Sequence, residues 1–141
     1  MTHALVVDDD AIILSVVRCW LEPNGIDTIL AESAADSFHA FDRFNFDLVL
    51  VDIFMPEIDG LKAIKSFRQW APGIPIIVMS GLVPRDPPHA VPDFFAMAMR
   101  LGASYGLHKP FQREQLMLAV KTCLGDARPL QMPPGRSGRL M

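Results

Sequence analysis

Five side chains in this 141-residue sequence could do chemistry together, and each stands at the end of a short apolar run. Asp8 and Asp9 follow residues 4–7, Asp52 follows 47–51, Ser80 follows 74–79, and Lys109 with Pro110 follows 105–108. Carboxylates brought together repel and raise one another's pKa unless a cation shares them. A hard divalent ion, Mg2+ or Mn2+, answers that need, because it takes few protein carboxylates, keeps several waters and accepts a phosphate oxygen. Such an ion could bring a phosphodonor up to Asp52, the carboxylate that attacks and becomes an acyl phosphate. Lys109 would neutralise charge on the transferred group, and the Ser80 hydroxyl would donate to one of its oxygens. No one of these residues is specific; the ordered set is.

These groups meet only if the apolar runs are neighbouring strands. Residues 4–7 are wholly apolar and partly β-branched, as a central parallel strand buried on both faces requires. Ile13, Val16, Val17, Trp20 and Leu21 then recur at helical spacing from residue 11 until Pro23, Asn24 and Gly25 break the pattern. A weaker strand is expected at 26–30. Ser33 caps the next helix, with Asp36 in its first turn to suit the helix dipole and Phe38 and Phe41 on one side. The third strand, 47–51, leads into the turn IFMPEIDG, and a helix over 60–70 carries Leu61, Ile64, Phe67 and Trp70. The fourth strand is expected at 74–79, with Pro75 tolerated near its start. Four prolines within 82–92 exclude a regular helix there. A methionine-rich helix at 94–101, a strand at 105–108 and a helix at 113–124 complete the chain. Alternating strands and helices predict an α/β fold, a doubly wound five-stranded parallel sheet flanked by helices. Its functional groups gather at the carboxyl ends of the strands, where strand order reverses.

Composition narrows the functional classes. Half the residues are hydrophobic, 21% are charged and the net charge is -3, the usage of one globular domain. Without the three arginines and one aspartate of residues 125–141, 10 basic face 15 acidic residues, so direct nucleic-acid binding is not expected. No apolar run reaches the ~18 residues of a membrane span and no signal peptide precedes the acids, which predicts a cytoplasmic protein without membrane contact. Cys19 and Cys123 lack metal or redox spacing and are expected to be free, buried thiols.

The motifs VVDDD, VLVDIFMPEIDG, PIIVMSG and LGASYGLHKPF resemble the response-regulator receiver family, in register from about Thr2 to Leu124. The resemblance implies a receiver domain over 1–124 and leaves 125–141, rich in Pro, Gly and Arg, as a mobile tail. It implies that Asp52 is the phosphoacceptor, Asp9 a direct metal ligand and Asp8 the acid holding a metal-bound water. The Phe54 backbone carbonyl would be a further ligand, with Ser80 the switch hydroxyl and Lys109 the phosphate-sensing lysine. Met55, Pro56, Asp59 and Gly60 match the family's loop after the acceptor. The implied partners are a histidine kinase or a histidine phosphotransfer protein and a downstream protein target. With 17 residues after Leu124, no output module is expected to follow.

Two departures stand out. The family's switch aromatic lies three residues before the lysine, where this sequence has Gly106; its aromatic is Tyr105, one place earlier. A one-residue shift turns a strand side chain to the opposite face unless a bulge restores it. The stretch between Ser80 and Gly102 is also longer than the family's.

Plainer readings cover the other residues. Asp10 is expected to cap the first helix, His108 alternates away from Lys109, and His3, His39 and His89 lack ligand spacing. Met97, Met99 and the phenylalanines at 94 and 95 are expected in the core rather than on a partner surface. Two other functions compete with a phosphorylated receiver. A Mg2+-dependent aspartyl phosphatase of the haloacid-dehalogenase type would need an acid where Phe54 stands. A phosphorylation-independent pseudo-receiver would draw on the displaced aromatic and the long loop.

Overall fold

Ala4, Leu5, Val6 and Val7 are closed to solvent on both faces, as are Leu48 to Val51 and Ile76 to Met79. Segments so apolar and so short can bury all their side chains only between two helical layers. A computed structural model, which describes residues 2–55, 60–81 and 94–125, has that architecture. Its strands are β1 (Thr2–Val7), β2 (Ile26–Ala31), β3 (Leu48–Asp52), β4 (Ile76–Ser80) and β5 (Tyr105–His108). Its helices are α1 (Ala11–Leu21), α2 (Ala34–Arg43), α3 (Gly60–Trp70), α4 (Phe94–Leu101) and α5 (Arg113–Cys123). The strands are parallel in the order β2-β1-β3-β4-β5, the doubly wound arrangement expected, here of the flavodoxin-like order. The order reverses beside β1, so a crevice opens between the carboxyl ends of β1 and β3.

Strand alternation sorts the core into two layers. Leu5, Val7, Val49, Val51, Ile76 and Val78 pack against Ala63, Ile64 and Phe67 of α3 and Ala98 of α4. The intervening Ala4, Val6, Leu48, Leu50, Ile77 and Met79 meet Leu14, Val17 and Leu21 of α1 and Leu116 and Val120 of α5. Each fully buried Leu, Ile or Val contributes about 1.5–3 kcal/mol of transfer free energy, so the two layers dominate stability. Arg68 of α3 ties the far edge together, donating to the carbonyls of Pro72 at 2.7 Å and Gly102 at 2.6 Å.

Most boundaries follow the expectation, with Asp10 and Ser33 capping α1 and α2 through the amides of Ile12 and Asp36. Strands β3 and β4 begin later and end one residue later than expected. Ile53 donates to the Met79 carbonyl at 2.9 Å and Lys109 to that of Ser80 at 2.8 Å, so pairing continues onto Asp52 and Ser80. Pro75 lies just outside β4, its carbonyl accepting from Val49.

Cys19 and Cys123 are free as expected, but they are not both buried: Cys19 is exposed and Cys123 half-buried. Met97 and Met99 are also partly exposed, at 37% and 45%, because the underside of the short α4 is supplied by Phe95 and Ala98. No bulge rescues Tyr105. Residues 105–108 pair one for one with 77–80, so Tyr105 points into the α1 and α5 layer. The proline-rich segment and the tail after Gly125 lie outside the described residues. No described helix is long and apolar enough to cross a membrane.

Candidate functional site

The crevice is lined by the acids. Asp8 follows β1 directly and is fully buried; its amide donates to the Ala31 carbonyl at 3.1 Å, which continues the β1 to β2 ladder. Its Oδ1 accepts the Asp10 amide at 2.9 Å. Asp52, the last residue of β3 and 4% exposed, repeats the device, its Oδ1 accepting the Phe54 amide at 3.0 Å. Both are local turns in which an aspartate bonds the backbone two residues on. They fix one oxygen of each carboxylate and leave the other to face the crevice.

Lys109 Nζ stands 2.6 Å from Asp8 Oδ2 and 3.3 Å from Asp52 Oδ2. Asp8 Oδ2 is sealed from solvent, and the Lys109 ammonium is the group that faces it. Burial raises Asp8 above the ordinary carboxylate range, against the pull of Lys109 and the Asp10 amide. Burial likewise pushes Asp52 up to about 6; the Phe54 amide and Lys109 oppose this and the Asp8 charge adds to it. For Lys109, burial alone would lower the pKa, but its bonds and charge pairing with Asp8 and Asp52 outweigh that and hold it above its usual value. One ammonium is therefore too little positive charge for these acids.

Asp9 is exposed at the rim, and Asp8, Asp9 and Asp52 each offer an oxygen within 4.8 Å of the others. Three hard oxygen donors, two of them on buried carboxylates that share one ammonium, fit a hard divalent cation. Ser80 ends β4 next to Asp52 and is 4% exposed. The expected residues Asp8, Asp9, Asp52, Ser80 and Lys109 thus meet at one end of the sheet. Phe54 lies beside Asp52 and is 36% exposed. Of the loop after it, Met55 is buried and residues 56–59 lie outside the described residues.

Gly60 starts α3 hard against the end of β3, its amide donating to the Ile53 carbonyl at 2.8 Å. A Cβ there would collide with the carbonyl of Asp52, so only glycine lets α3 begin this close. The role of the Asp10 amide was missed from sequence, although an aspartate at the end of a strand commonly accepts the backbone amide two residues on.

Residues 4–121 match the sequence family described as the response regulator receiver domain. The chain belongs to that family. Among curated relatives of this receiver, the transcriptional regulatory protein GlrR of Escherichia coli (strain K12) is 30% identical over 128 residues, covering 90% of this chain and 27% of the relative. The transcriptional regulatory protein FixJ of Bradyrhizobium diazoefficiens is 31% identical over 127 residues, covering 90% and 58%. The receiver therefore spans between about a quarter and three fifths of the length of these relatives. A CheY-like receiver domain structure from Methanospirillum hungatei superposes with a TM-score of 0.80, covering 89% of this chain and 94% of that one. At 24% identity it speaks for the fold.

Proposed function

We propose that this receiver accepts a phosphoryl group on Asp52 from a histidine kinase or histidine phosphotransfer protein, in the cytoplasm, and signals by altered protein contacts. What supports the reading most is the convergence of Lys109 on Asp8 and Asp52 at 2.6 and 3.3 Å, where three carboxylates can share an ion. Asp9 and Asp52 would hold Mg2+ or Mn2+ directly, Asp8 through a water, and the Phe54 carbonyl would complete the protein ligands. When bound, the ion supplies charge neutralisation and alignment of the phosphodonor.

The free oxygen of Asp52 forms the new P–O bond as the P–N bond of a phosphohistidine breaks, returning the electron pair to the imidazole. Lys109 then trades part of its pairing with Asp52 for the phosphoryl oxygens, and the Ser80 hydroxyl donates to one of them. The remaining stretch of chain, 125–141, serves as a tail to a receiver domain at 1–124.

Treatment with acetyl phosphate and Mg2+, followed by intact mass, tests this directly. A single phosphate adduct that needs the metal and vanishes in Asp52→Ala is expected. An adduct that survives the substitution overturns the assignment of Asp52.

A phosphorylation-independent pseudo-receiver has one observation in its favour: Tyr105 is turned into the α1 and α5 layer, away from the face of β5 that carries Gly106 and His108. No adduct with either acetyl phosphate or a phosphorylated histidine phosphotransfer protein would favour it.

A further inference from the structure

Six of the chain's twelve aromatic residues, which are nine Phe, two Trp and one Tyr, collect at the end of the sheet opposite the acids, where β3 and β4 begin. Phe38 and Phe41 come from α2, Phe44 and Phe46 from the turn after it, and Phe67 and Trp70 from α3. Core packing accounts for part of the set. Phe67 is fully buried, but Phe44 and Trp70 remain 51% and 53% exposed. A cleft of about 680 Å3, open to solvent on one side, lies between α2, the following turn and Trp70, a volume in the range of small-molecule sites. Phe41 and Phe46, nearly parallel with centroids 6.0 Å apart, and the exposed Phe44 and Trp70 form its aromatic walls.

Its polar groups all come from α2 and the turn: His39, Asp42 and Asn45. All three are exposed, and none has a hydrogen-bond or ion-pair partner among the described residues, so water is what a ligand would displace from them. Asp42 carries the formal charge of the lining, and neither lysine nor arginine contributes to it. Aromatic faces are electron-rich and attract cations within about 6 Å of a ring centroid, more so where several rings surround the charge. An unpaired carboxylate beside them repels anions and pairs with an ammonium.

We propose that this cavity binds a small organic cation: an apolar body bearing a quaternary or protonated amine, its charge set among the rings and beside Asp42. The cavity is remote from the acids, so it does not depend on phosphoryl transfer.

The test uses the full chain with Trp20→Phe, so that emission reports on Trp70, titrated with benzyltrimethylammonium and with its uncharged isostere neopentylbenzene at pH 8. Saturable quenching by the cation, at least about fivefold tighter than by the isostere, is expected from cation–π attraction. Asp42→Asn and Phe44→Ala, both at exposed positions, should each weaken it about threefold while melting temperatures stay unchanged. Equal binding of the two probes, indifference to both substitutions, no saturation at the solubility limit, or binding confined to an arginine peptide would overturn the proposal.

Discussion

The ring of Phe95 on α4 covers Gly106 on β5 so closely that a Cβ at 106 would stand 3.1 Å from its Cδ1 and Cε1. The same ring meets His108 edge-on, with centroids 4.4 Å apart, and His108 is the strand partner of Ser80. The face of β5 that lacks an aromatic of its own is thus covered by one from a helix. Gly106→Ala should crowd that ring and destabilise the domain by about 1–2 kcal/mol, the usual cost of overpacking. Adding Phe95→Leu should recover part of the loss, a non-additivity that a double-mutant cycle of urea midpoints would measure. A neutral Gly106→Ala would mean the ring is not held there.

Asp52 sets a pH dependence. Its pKa is about 6 in the fold against an ordinary 3.8, so between those values the native state keeps a proton that the unfolded chain has released. Metal-free stability therefore falls as pH rises from 4 to 6, by up to about 3 kcal/mol. The raised Asp8 works in the same direction. Asp52→Asn, which cannot ionise, should be roughly 1–3 kcal/mol more stable than wild type at pH 7 in EDTA. The advantage should vanish near pH 4. Equal urea midpoints at pH 7 would show that burial of the charge carries no such cost.

Divalent metal should offset part of that penalty. At ten times its dissociation constant, Mg2+ adds about 1.4 kcal/mol, a rise of a few degrees in melting temperature for a domain this size. Asp9→Ala, at an exposed position, should remove the rise without changing the melt in EDTA. An undiminished Mg2+ effect in that variant would take Asp9 out of the ligand set.

Phe54 should govern how long the phosphoryl group lasts. Bulky and apolar two residues past Asp52, it offers no polar atom on its side chain to orient an attacking water. Phe54→Asn should speed first-order loss of phosphate roughly tenfold, a modest share of what a positioned group can supply. A fast wild-type decay that the substitution leaves unchanged would refute the role.

How much of this was legible beforehand depended on the range of the interaction. Runs such as Leu48 to Val51 are too apolar for anything but a strand covered on both faces, so the acids at their ends could be placed together from sequence. Strand ends could not be placed to the residue, because bonds such as Ile53 to Met79 belong to register rather than to local preference. Cys19 was misread because it follows apolar neighbours. The buried stripe of α1 is Leu14, Val17 and Leu21, and a residue two positions past Val17 lies on the other side. The displaced aromatic marked Gly106 as unusual, but nothing local names Phe95 as the ring that fills the space.

The unequal exposure of the two cysteines makes this, for conjugation chemistry, a protein with one usable thiol. Burial pushes the Cys123 thiol up to about 11, leaving almost none of it as thiolate at neutral pH, whereas Cys19 is open on α1. A maleimide dye would therefore attach at Cys19 without engineering, across the sheet from α3 and α4. There it could report docking by a kinase or target while leaving the acids and the α4 surface untouched.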